Sequence, residues 1–360
     1  MRSLVGCAAG VFASGVLLAA GAPPDSLEAR IAKLAASFPG EIGVAVHDLD
    51  SNREVSVRGD QRFPTASLIK LAVMVETYHQ IAEGKLSREK AVILQEGDKA
   101  GDEAVVLNML HPGVSLTIPD LLNLMIAYSD NTATNLLVRE VGAAAADRRM
   151  ESYGLKDTKI FRPTFRDGHP DVYPELEKEF GLGMITPREA ARLMALVAEG
   201  KVVSRAACDE MLAMLGNQYD RQMIPRSLPF EKQKITVANK TGWDEEKLPD
   251  ASGLKGEIRT DAAYVKGPKS RYTIAICTRR GKDKRPGADN AALVTGAAIS
   301  RLVYDEMESL AAARAKRGKR AASDSGTRVP RGPESAQRQQ ERFIRLARGG
   351  PREARKARRV

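Results

Sequence analysis

Apolar residues recur with two different periods along the chain, and the order of those periods outlines a fold. Residues 25–37 (Asp25-Ser26-Leu27-Glu28-Ala29-Arg30-Ile31-Ala32-Lys33-Leu34 onward) carry them at helical spacing. Two strand-like runs follow, Ile42-Gly43-Val44-Ala45-Val46-His47-Asp48-Leu49 and Arg53-Glu54-Val55-Ser56-Val57. Asp50-Ser51-Asn52 between them predicts a hairpin turn. From 71 to 197 the pattern is mostly helical, broken by loops at Pro112-Gly113 and between Arg162 and Gly183. Thr186-Pro187-Arg188-Glu189 supplies a Thr N-cap, a Pro at N1 and a Glu at N3, and so opens another helix. Strand character returns at 235–238, 261–265 and 272–278, and a last amphipathic helix is expected over about 291–310. Strands at both ends with helices between predict an α+β protein of two lobes. The N- and C-terminal segments build an antiparallel sheet, the middle builds an all-helical lobe, and a site lies in the cleft between them.

Charge divides the chain differently. The 360 residues carry a net charge of +10, yet residues 311–360 alone hold 16 Lys/Arg and 4 Asp/Glu. That leaves −2 on residues 1–310, so the basic character belongs to a tail. The tail composition of Ala, Arg, Lys, Gly and Ser predicts disorder over 311–360, with one patch around Phe343 able to turn helical. It is either a solvated charge run or an electrostatic anchor to anionic envelope polymers or lipid. With few aromatic residues among its cations, it is not expected to bind a specific nucleic acid. At the other end, Met1-Arg2-Ser3, an apolar stretch over 4–20 and Gly21-Ala22-Pro23 describe a secretory signal peptide, residues 1–22, cleaved after Ala22. The alternative of a retained anchor is disfavoured by its short length and its Gly and Ala. The mature protein is therefore expected to be periplasmic or extracellular. Cys208 and Cys277 remain after cleavage; export permits a disulfide between them, while the apolar run around Cys277 equally suits a small core residue.

The chemistry centres on Phe63-Pro64-Thr65-Ala66-Ser67-Leu68-Ile69-Lys70. A helix starting near Thr65 places Ser67 in its first turn and Lys70 three residues on, along the same face. Unpaired N–H groups at a helix start favour an oxyanion, and a lysine in a dry or cationic pocket releases its proton to act as a base. Serine and lysine at this spacing are common. Two further motifs give the pair meaning: Ser129-Asp130-Asn131 after the apolar run 121–128, and Lys240-Thr241-Gly242 at the end of the strand 235–238. S-x-x-K, S-D-N and K-T-G in this order form the signature of class A β-lactamases and penicillin-binding proteins. Over roughly residues 25–310 the chain resembles class A β-lactamases and their serine-hydrolase relatives.

The resemblance implies roles. Ser67 is the nucleophile, and Lys70 takes or relays its proton. Ser129 passes a proton to the leaving nitrogen, and Lys240 keeps the field positive. Lys240 and Thr241 hold the substrate carboxylate. Gly242 allows close backbone approach, Asn131 bonds the substrate's side-chain amide, and Asp130 ties its loop together. The oxyanion lies between the N–H groups of Ser67 and Trp243, and Arg259 adds positive charge. Two departures stand out. The E-x-x-L-N pattern that carries the deacylating glutamate in class A enzymes is missing from 166–179; Glu175, Glu177 and Glu179 are the candidate stand-ins. Trp243 is bulky for its place, and 244–257 reads as a long loop. Three functions remain open: a β-lactamase; a related DD-peptidase or esterase-like hydrolase acting on peptidoglycan peptides; and an acyl-trapping binding or sensor module. A monomer without metal or cofactor is expected.

Overall fold

The computed structural model describes residues 23, 25–101, 106–162 and 173–326, with side chains through 318. The signal-peptide stretch 1–22, the loop residues 166–171, the patch around Phe343 and the tail beyond 326 lie outside the described residues. The chain divides into two compact units, Met1–Ser309 and Leu310–Val360.

A five-stranded antiparallel sheet forms from the two ends of the first unit. Its strands are β1 (Glu41–Asp48), β2 (Arg53–Val57), β3 (Thr236–Pro249), β4 (Lys255–Lys266) and β5 (Arg271–Arg279), in the spatial order β2-β1-β5-β4-β3. The non-local pair β1–β5 joins the ends, with Glu41 opposite Arg279 and Asp48 opposite Tyr272. The helices are α1 (Leu27–Ala35), α2 (Lys70–Ala82), α3 (Ile118–Ala127), α4 (Asn131–Val141), α5 (Ala143–Ser152), α6 (Pro174–Phe180), α7 (Pro187–Ala198), α8 (Arg205–Gly216) and α9 (Ala291–Gly326). The α+β architecture and the hairpin β1–β2 are as expected.

Every residue of α2 from Lys70 to Tyr78 is buried, as befits a helix surrounded by others. Leu71 and Met74 of α2, Leu122 and Ile126 of α3, Leu137 of α4, Met150 of α5 and Met194 of α7 share one core cluster. Small residues of the sheet, Ala45, Ala262 and Ala275, join the same cluster, so one core spans both lobes. At α7, Thr186 Oγ1 accepts from Glu189 N at 3.2 Å. The Glu189 carboxylate does not complete the reciprocal box; it accepts from Asp157 N and Thr158 Oγ1 instead, and so ties a second loop to the helix start.

Three sequence expectations change. Lys240-Thr241-Gly242 does not end a strand, because β3 continues for fourteen residues to Pro249. The expected loop over 244–257 is the β3–β4 hairpin, with a register irregularity between Glu245 and Pro249. Alternation of charged and apolar residues there is masked by Asp244-Glu245-Glu246-Lys247, which reads as polar throughout. The last helix also runs past the expected boundary at 310 to Gly326, consistent with the helix-forming Ala, Arg and Lys of that stretch.

Cys208 and Cys277 are both buried and free. We expect both thiols to resist alkylation in the native protein and to react in denaturant, as read by peptide mass mapping. A Cys208–Cys277 cross-linked peptide would contradict this arrangement.

Candidate active site

The segment leading to Ser67 is held before any helix begins. Phe63–Pro64 pairs with Gly183–Ile185, and Thr65 N donates to Gly183 O at 2.9 Å. The helix does not start near Thr65 as an α-helix. Ala66–Ile69 is a single 3-10 turn, and α2 proper begins at Lys70. Residues i and i+3 eclipse in such a turn, so Ser67 and Lys70 still share a side. Ala66 sits at φ +44°, a conformation disfavoured for a residue with a Cβ.

Across from this turn runs β3, the edge strand of the sheet. A Cβ added to Gly242 would lie 2.8 Å from Ser67 N, 2.8 Å from Thr65 O and 2.4 Å from Thr260 Oγ1. Only hydrogen fits there, which explains glycine at this point of a strand. Thr260 Oγ1, on β4, donates to Thr65 O at 2.9 Å and clasps the sheet to the turn.

The third component is the joint between α3 and α4. Ser129 takes φ +57°, and Asp130 caps α4. The Asp130 carboxylate accepts from Ala133 N, Val106 N and Leu107 N, each at 2.8 Å. It is a loop clamp, as the motif implied.

Side chains from all three elements converge on Ser129. Lys70 Nζ donates to Ser129 O at 2.6 Å, Ser129 Oγ at 3.1 Å and Asn131 Oδ1 at 2.7 Å. Lys240 Nζ donates to Ser129 Oγ at 3.1 Å and to Thr241 O at 2.8 Å. Both lysines have no solvent exposure. Burial, reinforced by the charge of Lys240, holds the Lys70 amine well below the ordinary lysine range, against the pull of Asp130. Burial also pushes Lys240 down to about 7, opposed by the charges of Asp220 and Asp261. A hydroxyl has two acceptor sites and one proton. With both acceptor sites of Ser129 taken by lysines, its proton is free to point elsewhere.

Ser67, Ser129, Asn131, Thr241, Gly242, Trp243 and Arg259 line one cleft of about 350 Å³. Residues of all three motifs therefore line one cleft where the sheet meets the helices, and the two lysines meet at Ser129 Oγ. Arg259 differs from expectation because it comes to the cleft already paired. Its guanidinium is buried against Glu257 at 2.8 Å and lies 4.8 Å from the Trp243 ring centre. Trp243 Nε1 also donates to Glu257 Oε1, so the bulky indole is fixed at the rim by a buried ion pair. Arg259 thus offers a neutralised charge.

The glutamates of α6 do not line the cleft. Glu175 is exposed and paired with Lys178, whereas Glu179 turns to Arg279. Glu177 bonds Arg162 through Oε1 at 3.0 Å and keeps Oε2 buried without a hydrogen-bond partner among the described residues. Among the described residues, the carboxylates that do line the cleft are Asp220 and Asp244. Sequence reasoning missed both, along with Glu257 and the stacked Tyr128 and Tyr219 at the mouth. Period-two alternation from Gly242 would have found Asp244 had the strand been extended. No local pattern marks Asp220 or Tyr219.

A serine at the junction of two lobes, with two buried lysines and a second serine beside it, defines an acyl-transferring serine hydrolase of the β-lactamase and penicillin-binding class. The chain belongs to the beta-lactamase enzyme family, whose profile matches residues 26–307. The beta-lactamase ROB-1 of Haemophilus influenzae is 24% identical over 253 residues, covering 69% of this chain and 75% of that one. The crystal structure of a beta-lactamase from Sphaerobacter thermophilus is 27% identical, with a TM-score of 0.66 over 79% of this chain and 98% of that one. A mutant of PBP-A, solved as an acyl-enzyme complex with penicillin G, is 27% identical, with a TM-score of 0.65 over 79% and 96%.

A lysine whose pKa falls on folding leaves the unfolded chain with more bound protons between the folded and unfolded values. Stability is therefore expected to rise with pH from about 7 upward through the contribution of Lys240. Urea melts between about pH 7 and 9 should give a smaller rise for Lys240→Met than for wild type.

Proposed function

We propose that this protein is an exported class A β-lactamase, in which Ser67 is acylated by β-lactam amides and water then releases the product. The observation that carries this reading is the Ser129 hydroxyl bridged by Lys70 and Lys240 at 3.1 Å each. Acylation needs a base for Ser67 and an acid for the leaving nitrogen. A desolvated amine at Lys70 serves as the first, directly or by relay. Ser129 serves as the second: it gives its proton to the nitrogen and is re-protonated from the adjoining lysines. Lys240 and Thr241 face the anionic group of the substrate at the edge of β3. The backbone N–H groups of Ser67 and Trp243 receive the developing oxyanion. The resemblance to ROB-1 and to the Sphaerobacter enzyme supports the substrate class. The N-terminal stretch 1–22 supports export, and the acidic cleft walls and small substrate require neither nucleic acid nor cofactor.

A second reading is favoured by one observation. None of Glu175, Glu177 and Glu179 lines the cleft, so a chain relying on α6 for deacylation would remain acylated. That is the behaviour of a peptidoglycan-directed hydrolase or penicillin sensor, and the PBP-A acyl-enzyme is a structural neighbour with that bound state.

The decisive measurement is turnover of a chromogenic cephalosporin by the purified mature protein. We expect many turnovers per molecule; a single stoichiometric burst would support the second reading. Ser67→Ala is expected to abolish the covalent adduct seen by intact-mass spectrometry. Lys70→Ala is expected to slow acylation by roughly 10²–10⁴-fold with an unchanged circular dichroism spectrum. Acylation of Lys70→Ala at the wild-type rate would remove the lysine from the mechanism.

A further inference from the structure

Hydrolysis of an acyl-enzyme needs a base beside the ester, and the sequence lacks the usual one. We propose that Asp244 is that base: its carboxylate activates the water that deacylates Ser67. The inference rests on the proposed acylation of Ser67 and names the group that completes the same cycle.

Strand geometry places the carboxylate. Side chains alternate across a strand, so Gly242 and Asp244 leave β3 on the same face. At Gly242 that face abuts the backbone nitrogen of Ser67. Asp244 lies two residues further along, about 7 Å by strand rise. Such an offset leaves room for one water between a carboxylate and a carbonyl attached to Ser67. Asp244 and Ser67 line the same cleft. One carboxylate oxygen accepts from Glu245 N at 2.8 Å, and no hydrogen bond to the other is found among the described residues. The carboxylate is therefore oriented by one contact and open at its second oxygen.

Among the described residues, the other carboxylate of the cleft is placed differently. Asp220 supports the charge of Lys240, and Gln222 N donates to one of its oxygens. Burial raises Asp244 above the ordinary carboxylate range and so strengthens it as a base. The Glu245 N–H, Lys247 and Arg162 pull it down, and the Glu245 carboxylate pushes it up. Arg162 is itself paired with Glu177, a carboxylate that does not line the cleft and so supplies the control for the test.

The step balances as follows. Asp244 takes one proton from water as the water oxygen bonds to the acyl carbon. The tetrahedral intermediate collapses, the bond from that carbon to Ser67 Oγ breaks, and the proton passes to Ser67 Oγ. Product acid, free serine and the aspartate anion result.

The test follows acylation and deacylation separately in the mature protein with benzylpenicillin, by intact-mass spectrometry and by turnover. Asp244→Asn is expected to form the adduct at the wild-type rate and to lose it roughly 10²–10⁴-fold more slowly. Asp244→Ala is expected to regain deacylation when formate is added, a rescue that a purely structural role would not give. Wild-type deacylation is expected to rise with pH through an inflection above the ordinary aspartate range. Glu177→Gln is expected to deacylate normally. Wild-type turnover by Asp244→Asn, absence of formate rescue, or trapping by Glu177→Gln alone would overturn the assignment. So would a wild-type adduct as long-lived as that of Asp244→Asn. Failure of the acylation reading looks different: no adduct forms on Ser67 in any protein.

Discussion

Lys70 and Lys240 are both fully buried, and their Nζ atoms meet at one oxygen, Ser129 Oγ. Removing an ammonium from water costs several kcal/mol even after relaxation, and two close together repel as well. The structure meets that cost with acceptors and distant counter-charges. Lys70 has three oxygens within 3.1 Å. Asp130 favours its charge, whereas Asp220 and Asp261 favour that of Lys240. No carboxylate directly pairs with either lysine among the described hydrogen bonds. Proton affinity therefore stays low, and both amines remain able to give and take protons.

This arrangement dictates what surrounds it. The first lysine arrives on a helix buried from Lys70 to Tyr78, the second on an edge strand, and Ser129 at a positive-φ joint between two helices. Each element has its own fastening. Thr260 holds the sheet to the Ser67 turn, and Asp130 pins three backbone donors. Glu257 binds Arg259 and Trp243 at the rim. The Asp130 clamp is worth more than an ordinary cap, because donors left unsatisfied by its loss would be buried.

Much of this was legible in the sequence. The hairpin β1–β2, the start of α7 and the central helix after Ser67 follow from apolar spacing and capping residues. The three short motifs located Ser67, Lys70, Ser129, Lys240 and Asn131. What stayed hidden depends on non-local contacts. The β3–β4 hairpin carries charged residues on both faces of its outer half, so alternation gave no signal past Gly242. Glu246 is buried there because Arg279, from a different strand, pairs with it at 3.0 Å. Arg259 was expected to add positive charge, and nothing in the linear order brings Glu257 and Trp243 onto it. The three glutamates of α6 looked equivalent, since a short polar helix does not reveal which side meets the protein.

The pairing of β1 with β5 carries a consequence for synthesis. A ribosome delivers Ser67 and its lysine neighbour early, together with the apolar α2, while Lys240 follows only on β3 and the strand that closes the sheet is complete only at residue 279. Until then the nascent polypeptide exposes β1 and β2 without their partner and possesses a nucleophile lacking half of its electrostatic environment. Long-range strand closure is slow and leaves such edges open to aggregation. The groups around the nucleophile thus come together late, because a chain that stops before its final strands lacks both Lys240 and the partner strand of β1.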